Sequence, residues 1–453
     1  MVYLNISLFF FIINIIVWLC FDPFNLIFQK NITLYIYSSY YNFGIDGISL
    51  FFLYLTSFLI PLCILFTWNS NNKYKNDFIK ALLSIEILLF FIFTVMDLLL
   101  FYIFFEIILV PFFIYIGING YRKRRIHAAY LFFFYTLAGS LLMLISIMVI
   151  YLHCGTTNIY ILWNSDFSNL REQLLWVAFF ISFGIKIPIF PFHIWLPEAH
   201  VEAPTEGSVI LAGILLKLGA YGLFRFVFPM FPYATTYFSP LILTLSSLAI
   251  VYCSMTTLRQ NDIKKIIAYS SIAHMNIAML GFFLLDIISI TGSFIMMIGH
   301  GVVSAGLFFI VGILYDRYKT KLIQYYSGLV QCMPIFTSIF LLFTLGNISI
   351  PLTVNFLSEL LIICGLCIKY NIVLLVVSVI GIFLGTMYSM WIFNRISFGV
   401  PYYYIYRYLK DISLIELIVM VPLLFHMFWI GIYPNSFLEV INSSTYFFMI
   451  NYS

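Results

Sequence analysis

The sequence predicts an all-α polytopic membrane protein with about 13 transmembrane crossings, two of them broken helices, built on an inverted repeat. Hydrophobic residues make up 63% of the 453 residues and charged residues only 9%, whereas a soluble domain carries roughly 25% charge. The apolar residues form runs of about 20, the length of one bilayer crossing, without the alternation of a membrane β-barrel. This composition excludes a soluble enzyme, a secreted disulfide scaffold and a nucleic-acid binder.

Twelve apolar runs are long enough to cross a bilayer as continuous helices. They are residues 3–21, 48–68, 79–96, 98–117, 126–152, 174–190, 207–229, 237–257, 263–284, 288–315, 371–393 and 415–433. Residues 331–369 are too many for one crossing, and the segment Gly346-Asn-Ile-Ser-Ile-Pro351 interrupts them. We expect this stretch to cross once, as two half-helices.

The basic residues predict the orientation. If the crossings alternate, the loops near 69–80, 118–125, 258–265, 316–330 and 394–414 share one face and carry 16 of the 22 Lys and Arg residues. The opposite face carries Lys30, Arg171 and Lys369. This asymmetry places the N-terminus on the cytoplasmic or matrix side and the C-terminus opposite.

Four charged side chains fall near mid-span, where each costs about 2.5–3.5 kcal/mol on insertion scales. They are Glu106, Lys186, Lys217 and Glu359, and two histidines, His274 and His300, also lie inside spans. A purely structural alternative is that these groups form ion pairs and hydrogen bonds that hold helices together. Leucine would fill the same positions at lower cost, so the sequence favours a role in ion or proton movement.

Prolines stand beside two of these charges. Pro188 and Pro191 follow Lys186, and Pro351 precedes Glu359, so both helices are expected to break close to a charge. Paired broken helices are typical of inverted-repeat transporters. The predicted divisions are N-terminal spans 1–78, a first unit 79–229, a second unit 230–393, and a C-terminal loop with the final span 394–453.

Other polar residues receive simpler interpretations. Asp46 and Glu86 lie nearer span ends and are interpreted as interfacial anchors, and Arg225 as a side chain that reaches water from a span end. Five acidic or histidine residues crowd the loop after Lys186 without a spacing typical of a metal site. They are His193, Glu198, His200, Glu202 and Glu206. The sequence indicates neither a metal site nor a redox cofactor in this chain.

Several segments resemble a known family. The stretch KIPIFPFHIWLPEAHVEAPTEGS from Lys186, followed by VILAGILLKLGAYG around Lys217, is similar to the antiporter-like, proton-translocating chain 4 subunits of mitochondrial respiratory complex I, NADH:ubiquinone oxidoreductase. FYIFFEIILVP around Glu106, IAYSSIAHM around His274 and NFLSEL around Glu359 extend the resemblance, as does MIGHG at 297–301.

The resemblance implies roles for the six intramembrane groups. Glu106 would pair with Lys186, and Lys217 would be the central relay lysine. His274 and His300 would continue the polar axis, and Glu359 would be the terminal group. A change in the Glu106–Lys186 distance would alter how firmly Lys186 holds its proton, since the attraction at about 4 Å is roughly 4 kcal/mol at an effective dielectric near 20.

The resemblance also implies the surroundings of the chain. Its partners would be other membrane-arm subunits, including neighbouring antiporter-like chains, and structural lipids of the mitochondrial inner membrane. NADH, flavin, iron–sulfur clusters and ubiquinone would belong to other subunits. The family usually has two crossings before the segment that resembles FGIDGISL at 43–50, whereas this sequence has one. We therefore expect one N-terminal helix fewer.

Two alternatives remain open at this point. The chain could be a subunit of a multi-chain Na⁺/H⁺ antiporter, in which the same lysines and glutamate would serve ion exchange without an electron-transfer partner. It could also be a scaffold whose buried charges are structural remnants.

Overall fold

A computed structural model describes residues 1–25, 28–36, 39–69, 75–120, 123–369, 372–400 and 410–452. Within them, ten helices are long and apolar enough to cross a membrane, which makes this a multi-pass membrane protein. They are Val2–Leu19, Gly47–Phe66, Leu98–Ile118, Arg125–Cys154, Thr205–Met230, Pro232–Thr257, Ile263–Phe283, Ile287–Tyr318, Ile372–Ser397 and Leu414–Ile432. Thirteen crossings remain a prediction. Three of the basic residues used for orientation, Lys73, Arg122 and Arg407, lie outside the described residues.

Shorter or more polar helices complete the fold. They are Lys75–Thr94, Ile159–Leu162, Asn169–Lys186, Trp195–Glu202, Leu329–Cys332, Pro334–Asn347, Val354–Ile368 and Asn435–Tyr452. The span Leu98–Ile118 is divided at Ile108 into two helices, Leu98–Ile107 and Leu109–Asn119. Helix Asn169–Lys186 ends at the predicted lysine, and residues 348–353 separate Pro334–Asn347 from Val354–Ile368.

An antiparallel hairpin replaces any helix between the first two long helices. Strand β1, Gln29–Ile36, pairs with strand β2, Ser39–Ile45. The prediction that residues 22–47 do not form a membrane-spanning helix is confirmed, although the sequence patterns did not predict the strands. A single helix, Val2–Leu19, precedes the hairpin among the described residues.

Helix Asn435–Tyr452 was also not predicted. Its sequence mixes Asn, Ser and Glu with apolar residues, so it lacks the signature of a span. It packs against the start of Gly47–Phe66, where the Ser444 hydroxyl accepts a hydrogen bond from the Gly47 N–H at 3.0 Å. The Phe437 ring stacks on Phe51 with centroids 4.7 Å apart.

Four helices form the centre of the bundle. Nearly every residue is buried in Gly47–Phe66, Thr205–Met230, Ile263–Phe283 and Ile287–Tyr318. The outer helices, such as Val2–Leu19, expose large apolar side chains, as expected of surfaces that face lipid. All six predicted site residues lie on the central helices or on helices packed directly against them.

Three of the five basic loops meet at one end of the bundle. The Ile263 N–H donates to the Lys321 carbonyl at 3.0 Å, which joins the loop at 258–265 to that at 316–330. Arg317 donates to the Lys410 carbonyl at 2.9 Å, which joins the latter to the loop at 394–414. This end is called the basic end below.

Candidate proton-transfer site

Lys217 lies at the centre of the bundle, on a helix with irregular hydrogen bonding. Two π-helical turns, Leu211–Leu215 and Leu223–Val227, flank it within Thr205–Met230. Turns of this kind occur often at functional sites because they shift the backbone hydrogen-bond pattern locally. Lys217 is fully buried, and its Nζ donates to the carbonyl of Ala212 inside the first π turn.

A histidine is the next neighbour of that ammonium. The Lys217 Nζ lies 3.0 Å from Nδ1 of His300, which is on the fully buried helix Ile287–Tyr318. No acidic side chain lies within ion-pair distance of Lys217 among the described residues. A lysine whose side-chain partners are an imidazole and a carbonyl oxygen can exchange a proton with that imidazole without first breaking an ion pair.

The line of polar groups continues from His300 to the helix Val354–Ile368. The His300 and His274 rings lie 5.9 Å apart between centroids. Nδ1 of His274 then lies 3.6 Å from Oε1 of Glu359, and both side chains are 7% exposed. Lys217, His300, His274 and Glu359 thus form one buried series, called the central line below.

Beyond Glu359, the central line reaches a small cavity. His274, Asn347, Glu359 and Tyr388 contribute to its lining. Asn347 is the last residue of the helix Pro334–Asn347, and Tyr388 lies on the outer helix Ile372–Ser397. Polar groups therefore continue from the carboxylate towards the edge of the bundle.

Lys186 and Glu106 stand apart from this series. Lys186 is 4% exposed, and its Nζ donates to the Phe105 carbonyl at 3.0 Å while lying 2.9 Å from the centre of the Phe105 ring. Glu106 is half-buried, and its Oε1 has no hydrogen-bond partner. No direct ion pair forms between these two described residues, because the ammonium points to the backbone of residue 105, although the two charges lie within electrostatic range of each other.

The backbone near the predicted breaks is held by side chains. Trp195 Nε1 donates to the Ile185 carbonyl at 2.9 Å, and Asn276 Nδ2 lies 3.4 Å from the Pro188 carbonyl. Residues 187–194, with Pro188 and Pro191, are not α-helical. Pro351 lies between Pro334–Asn347 and Val354–Ile368, where Asn355 Nδ2 donates to the Gly346 carbonyl at 3.0 Å.

A buried polar group at the basic end was not selected from the sequence. His200 is fully buried, neither ring nitrogen has a hydrogen-bond partner, and the ring stacks on Phe308 at 4.7 Å. It lies within electrostatic range of both Lys217 and Lys264. Lys264 is also fully buried and donates to the Ala203 carbonyl at 2.9 Å.

The sequence did contain a signal for His200. Its segment, WLPEAHVEAP at 195–204, alternates ionisable and apolar residues and contains no Gly, Ser or Asn. Such a composition is unusual for a solvated loop. Among the described residues, no group of three or more His, Cys, Asp or Glu side chains is placed to hold a metal ion.

The sequence-based interpretation of Arg225 and Asp46 is wrong. The Arg225 side chain is 1% exposed and does not reach water, because its Nη2 forms an ion pair with Asp46 Oδ1 at 2.6 Å. Asp46 is equally enclosed, at the N-cap of Gly47–Phe66. Glu86 is fully buried as well, and neither carboxylate oxygen has a hydrogen-bond partner.

Comparison with known proteins gives consistent matches. The family model described as NADH:quinone oxidoreductase/Mrp antiporter, TM, matches residues 95–385. The chain is 50% identical over 452 residues to NADH-ubiquinone oxidoreductase chain 4 of Triticum aestivum, covering 97% of this chain and 90% of that one. It is 49% identical over 438 residues to the protein of the same name from Chondrus crispus, covering 96% and 89%.

Solved structures agree. A chain of respiratory complex I from Thermus thermophilus with bound NADH superimposes with a TM-score of 0.89 at 26% identity, covering 98% of this chain and 93% of that one. A chain of the Mrp complex from Dietzia sp. DQ12-45-1b gives a TM-score of 0.87 at 18% identity, covering 98% and 91%, which shows a shared fold. The chain belongs to the NADH-ubiquinone oxidoreductase chain 4 family, the antiporter-like, proton-translocating membrane subunits of respiratory complex I.

Proposed function

We propose that this chain translocates protons along the central line, driven by electron transfer from NADH to ubiquinone in other subunits of the complex. The observation that carries the proposal is the closely spaced buried series from Lys217 through His300 and His274 to Glu359. Lysine, imidazole and carboxylate can each take up and release a proton, and all four groups avoid contact with bulk water. No structural need explains four such groups in a row.

Proton uptake is assigned to the basic end. His200 interacts electrostatically with both Lys264 and Lys217. Its ring nitrogens have no hydrogen-bond partner, so one can donate and the other can accept a hydrogen bond. A proton from that side would reach Lys217, pass to His300 and His274, and arrive at Glu359. The cavity beyond Glu359, lined in part by Tyr388, marks the side of release.

Lys186 and Glu106 are assigned the coupling role. In the present arrangement the ammonium is bound to the Phe105 carbonyl, one residue from the carboxylate. A change of side-chain conformation could exchange that carbonyl for the carboxylate. At about 4 Å and an effective dielectric near 20, the new attraction would be roughly 4 kcal/mol. This exceeds the work of moving one charge against 100 mV, about 2.3 kcal/mol.

The membrane arrangement proposed here has about 13 crossings, with the N-terminus on the matrix side of the mitochondrial inner membrane. The two broken helices are Asn169–Lys186 with its continuation to residue 202, and Pro334–Ile368. They belong to inverted-repeat units at 79–229 and 230–393, between N-terminal spans 1–78 and a C-terminal part 394–453. The redox cofactors are assigned to other subunits, and neighbouring antiporter-like chains and lipids to the surroundings.

The alternative function is that of a subunit of a multi-chain Na⁺/H⁺ antiporter. The Dietzia Mrp chain shares the fold of this chain, and that shared fold is the observation that favours the alternative. The near-complete coverage at about 50% identity by chain 4 relatives favours complex I. Purification from native membranes separates the two. The chain is expected to co-purify with NADH:ubiquinone reductase activity, and pumping is expected to be independent of Na⁺.

Lys217→Ala tests the relay directly. The substitution removes the proton-carrying group next to His300, so the assembled complex should lose most of its NADH-driven proton pumping in liposomes. Lys80→Ala is a matched control, since Lys80 is 60% exposed and forms only a surface pair with Asp77. Normal pumping by an assembled Lys217→Ala complex would refute the relay.

A further inference from the structure

One buried charge on the Lys217 helix takes no part in the central line. Arg225 follows Lys217 by eight residues, or about 12 Å along a helix. The helix begins at Thr205, beside the Lys264 contact at the basic end, so Arg225 lies beyond Lys217 towards the opposite end. A proton held on Lys217 therefore has two possible directions, sideways to His300 or onwards along its own helix past Arg225.

The partner of Arg225 keeps it in one position. Nη2 lies 2.6 Å from Oδ1 of Asp46, and the two side chains are 1% and 6% exposed. Asp46 also accepts the Ser49 N–H at 2.9 Å. Burial alone would raise the pKa of Asp46, but the adjacent guanidinium brings this pKa below its ordinary value, so the pair stays ionised. A buried ion pair is weak evidence for stability, since apolar residues of similar volume often serve as well.

Aromatic rings enclose the guanidinium. Its Cζ lies 4.7 Å from the centre of the Phe28 ring and 5.0 Å from that of Tyr221. Nε donates to the Tyr221 hydroxyl at 3.2 Å, and that hydroxyl donates to the Phe93 carbonyl at 3.0 Å. Trp163 stacks on Phe28 and its Nε1 donates to the Arg225 carbonyl at 3.3 Å. These three rings come from three separate segments and lie around the guanidinium.

This arrangement cannot relay a proton. Arginine stays protonated in proteins and does not release its proton to a neighbour. The aromatic rings leave little room for a chain of water molecules around it. A fixed, enclosed ion pair on the direct line from Lys217 to the far end is suited to blocking proton flow.

We propose that the Arg225–Asp46 pair and its aromatic surround form an insulating plug. The plug closes the direct route from Lys217 to the end opposite the basic end, so protons on Lys217 leave only through His300. The inference rests on the proposed function for the direction of flow, but the seal itself is a property that can be measured without turnover.

The test is passive proton conductance of the assembled complex in liposomes. A pH gradient is imposed without NADH, and its decay is followed with an enclosed pH-sensitive dye. Arg225→Ala removes the guanidinium and leaves Asp46 without it, so water can enter. We expect the gradient to decay several-fold faster than with the unmodified complex, while NADH:quinone electron transfer is retained. Arg171→Ala, at an exposed arginine, is expected to leave the decay unchanged.

One further variant completes the test. If Arg225→Ala does not assemble, the uncharged double variant Asp46→Asn with Arg225→Gln replaces it, with the same expectation of faster decay. An assembled complex with either change and an unaltered decay rate would overturn the plug.

The leak also reports on the route that the pair closes. In the double variant Lys217→Ala with Arg225→Ala, the extra conductance should disappear if the leak passes through Lys217. A leak that persists in this double variant would show that the pair seals a route that bypasses Lys217, which would overturn the plug as proposed, while the relay is judged by Lys217→Ala alone. The two proposals can therefore fail separately.

Discussion

Glu359→Gln is the most informative single change at the end of the central line. Glutamine conserves the shape of the side chain but carries no charge and accepts no proton at neutral pH. Glu359 Oε1 lies 3.6 Å from His274 Nδ1. At an effective dielectric near 20, a carboxylate at that distance attracts a protonated imidazole by about 4–5 kcal/mol.

That attraction is large compared with the work of moving one proton across the membrane. It is about twice the work of moving one charge against 100 mV. Glu359→Gln removes this nearby counter-charge from the His274 ring. Proton transfer from His300 to His274 should therefore become rare, and the terminal acceptor is absent as well.

The assay is NADH-driven proton uptake by the reconstituted complex, with electron transfer recorded in the same sample. The number of protons pumped per electron should fall by the share that this chain carries. Glu439→Gln is the matched control, because Glu439 is an exposed carboxylate on the C-terminal helix. A normal proton-to-electron ratio in an assembled Glu359→Gln complex would refute the role of Glu359 as the terminal proton acceptor.

Two other predictions concern packing around Lys186 and Lys217. A Cβ on Gly219 would lie 2.7 Å from the Phe183 carbonyl oxygen, so Gly219→Ala should destabilise the assembled complex by roughly 1–3 kcal/mol in thermal unfolding. Gly117→Ala is the control, because a Cβ there has no atom within 4 Å and should not lower the melting temperature. Equal melting temperatures for the two variants would contradict the tight contact at Gly219. Phe105→Leu removes the aromatic ring beside the Lys186 ammonium, and with it a cation–π interaction of about 0.5–2 kcal/mol. The variant should assemble but pump protons more slowly. An unchanged pumping rate would show that the ring does not hold the ammonium.

The sequence predicted the intramembrane charges well because their cost depends on composition and depth alone. Lys217 and Glu359 stand out in apolar runs whatever their neighbours are. The structure then brings Lys217, His300, His274 and Glu359 into one line, which spacing along the chain could not establish. The assignments of roles to these residues remain predictions.

The partners of buried charges could not be predicted in the same way. Asp46 and Arg225 are 179 positions apart, and each lies at a span end, where reaching water is the usual outcome for a charge. Only the packing of the hairpin region against the Lys217 helix encloses them both. The orientation of the Lys186 ammonium could not be predicted for the same reason, since it depends on how two helices pack and not on their sequences separately, and the pairing with Glu106 remains a prediction.

Local patterns also missed two elements. The hairpin strands are rich in Tyr and Ile, but their polar residues suggested only that no helix would form there. Helix Asn435–Tyr452 has too many polar residues to resemble a span, and it is stabilised by packing on the central helices through Phe437 and Ser444. Both elements depend on contacts distant in sequence.

The central claim is that protons move through the histidines between Lys217 and Glu359. The most direct measurement is the proton-to-electron ratio of the reconstituted complex carrying His300→Gln, compared with His426→Gln. His426 is a buried histidine too, but it bonds Tyr54 and the Pro422 carbonyl and lies outside the central line. A lowered ratio is expected for His300→Gln and a normal ratio for His426→Gln. An assembled His300→Gln complex that pumps as many protons per electron as the unmodified complex would contradict the central claim.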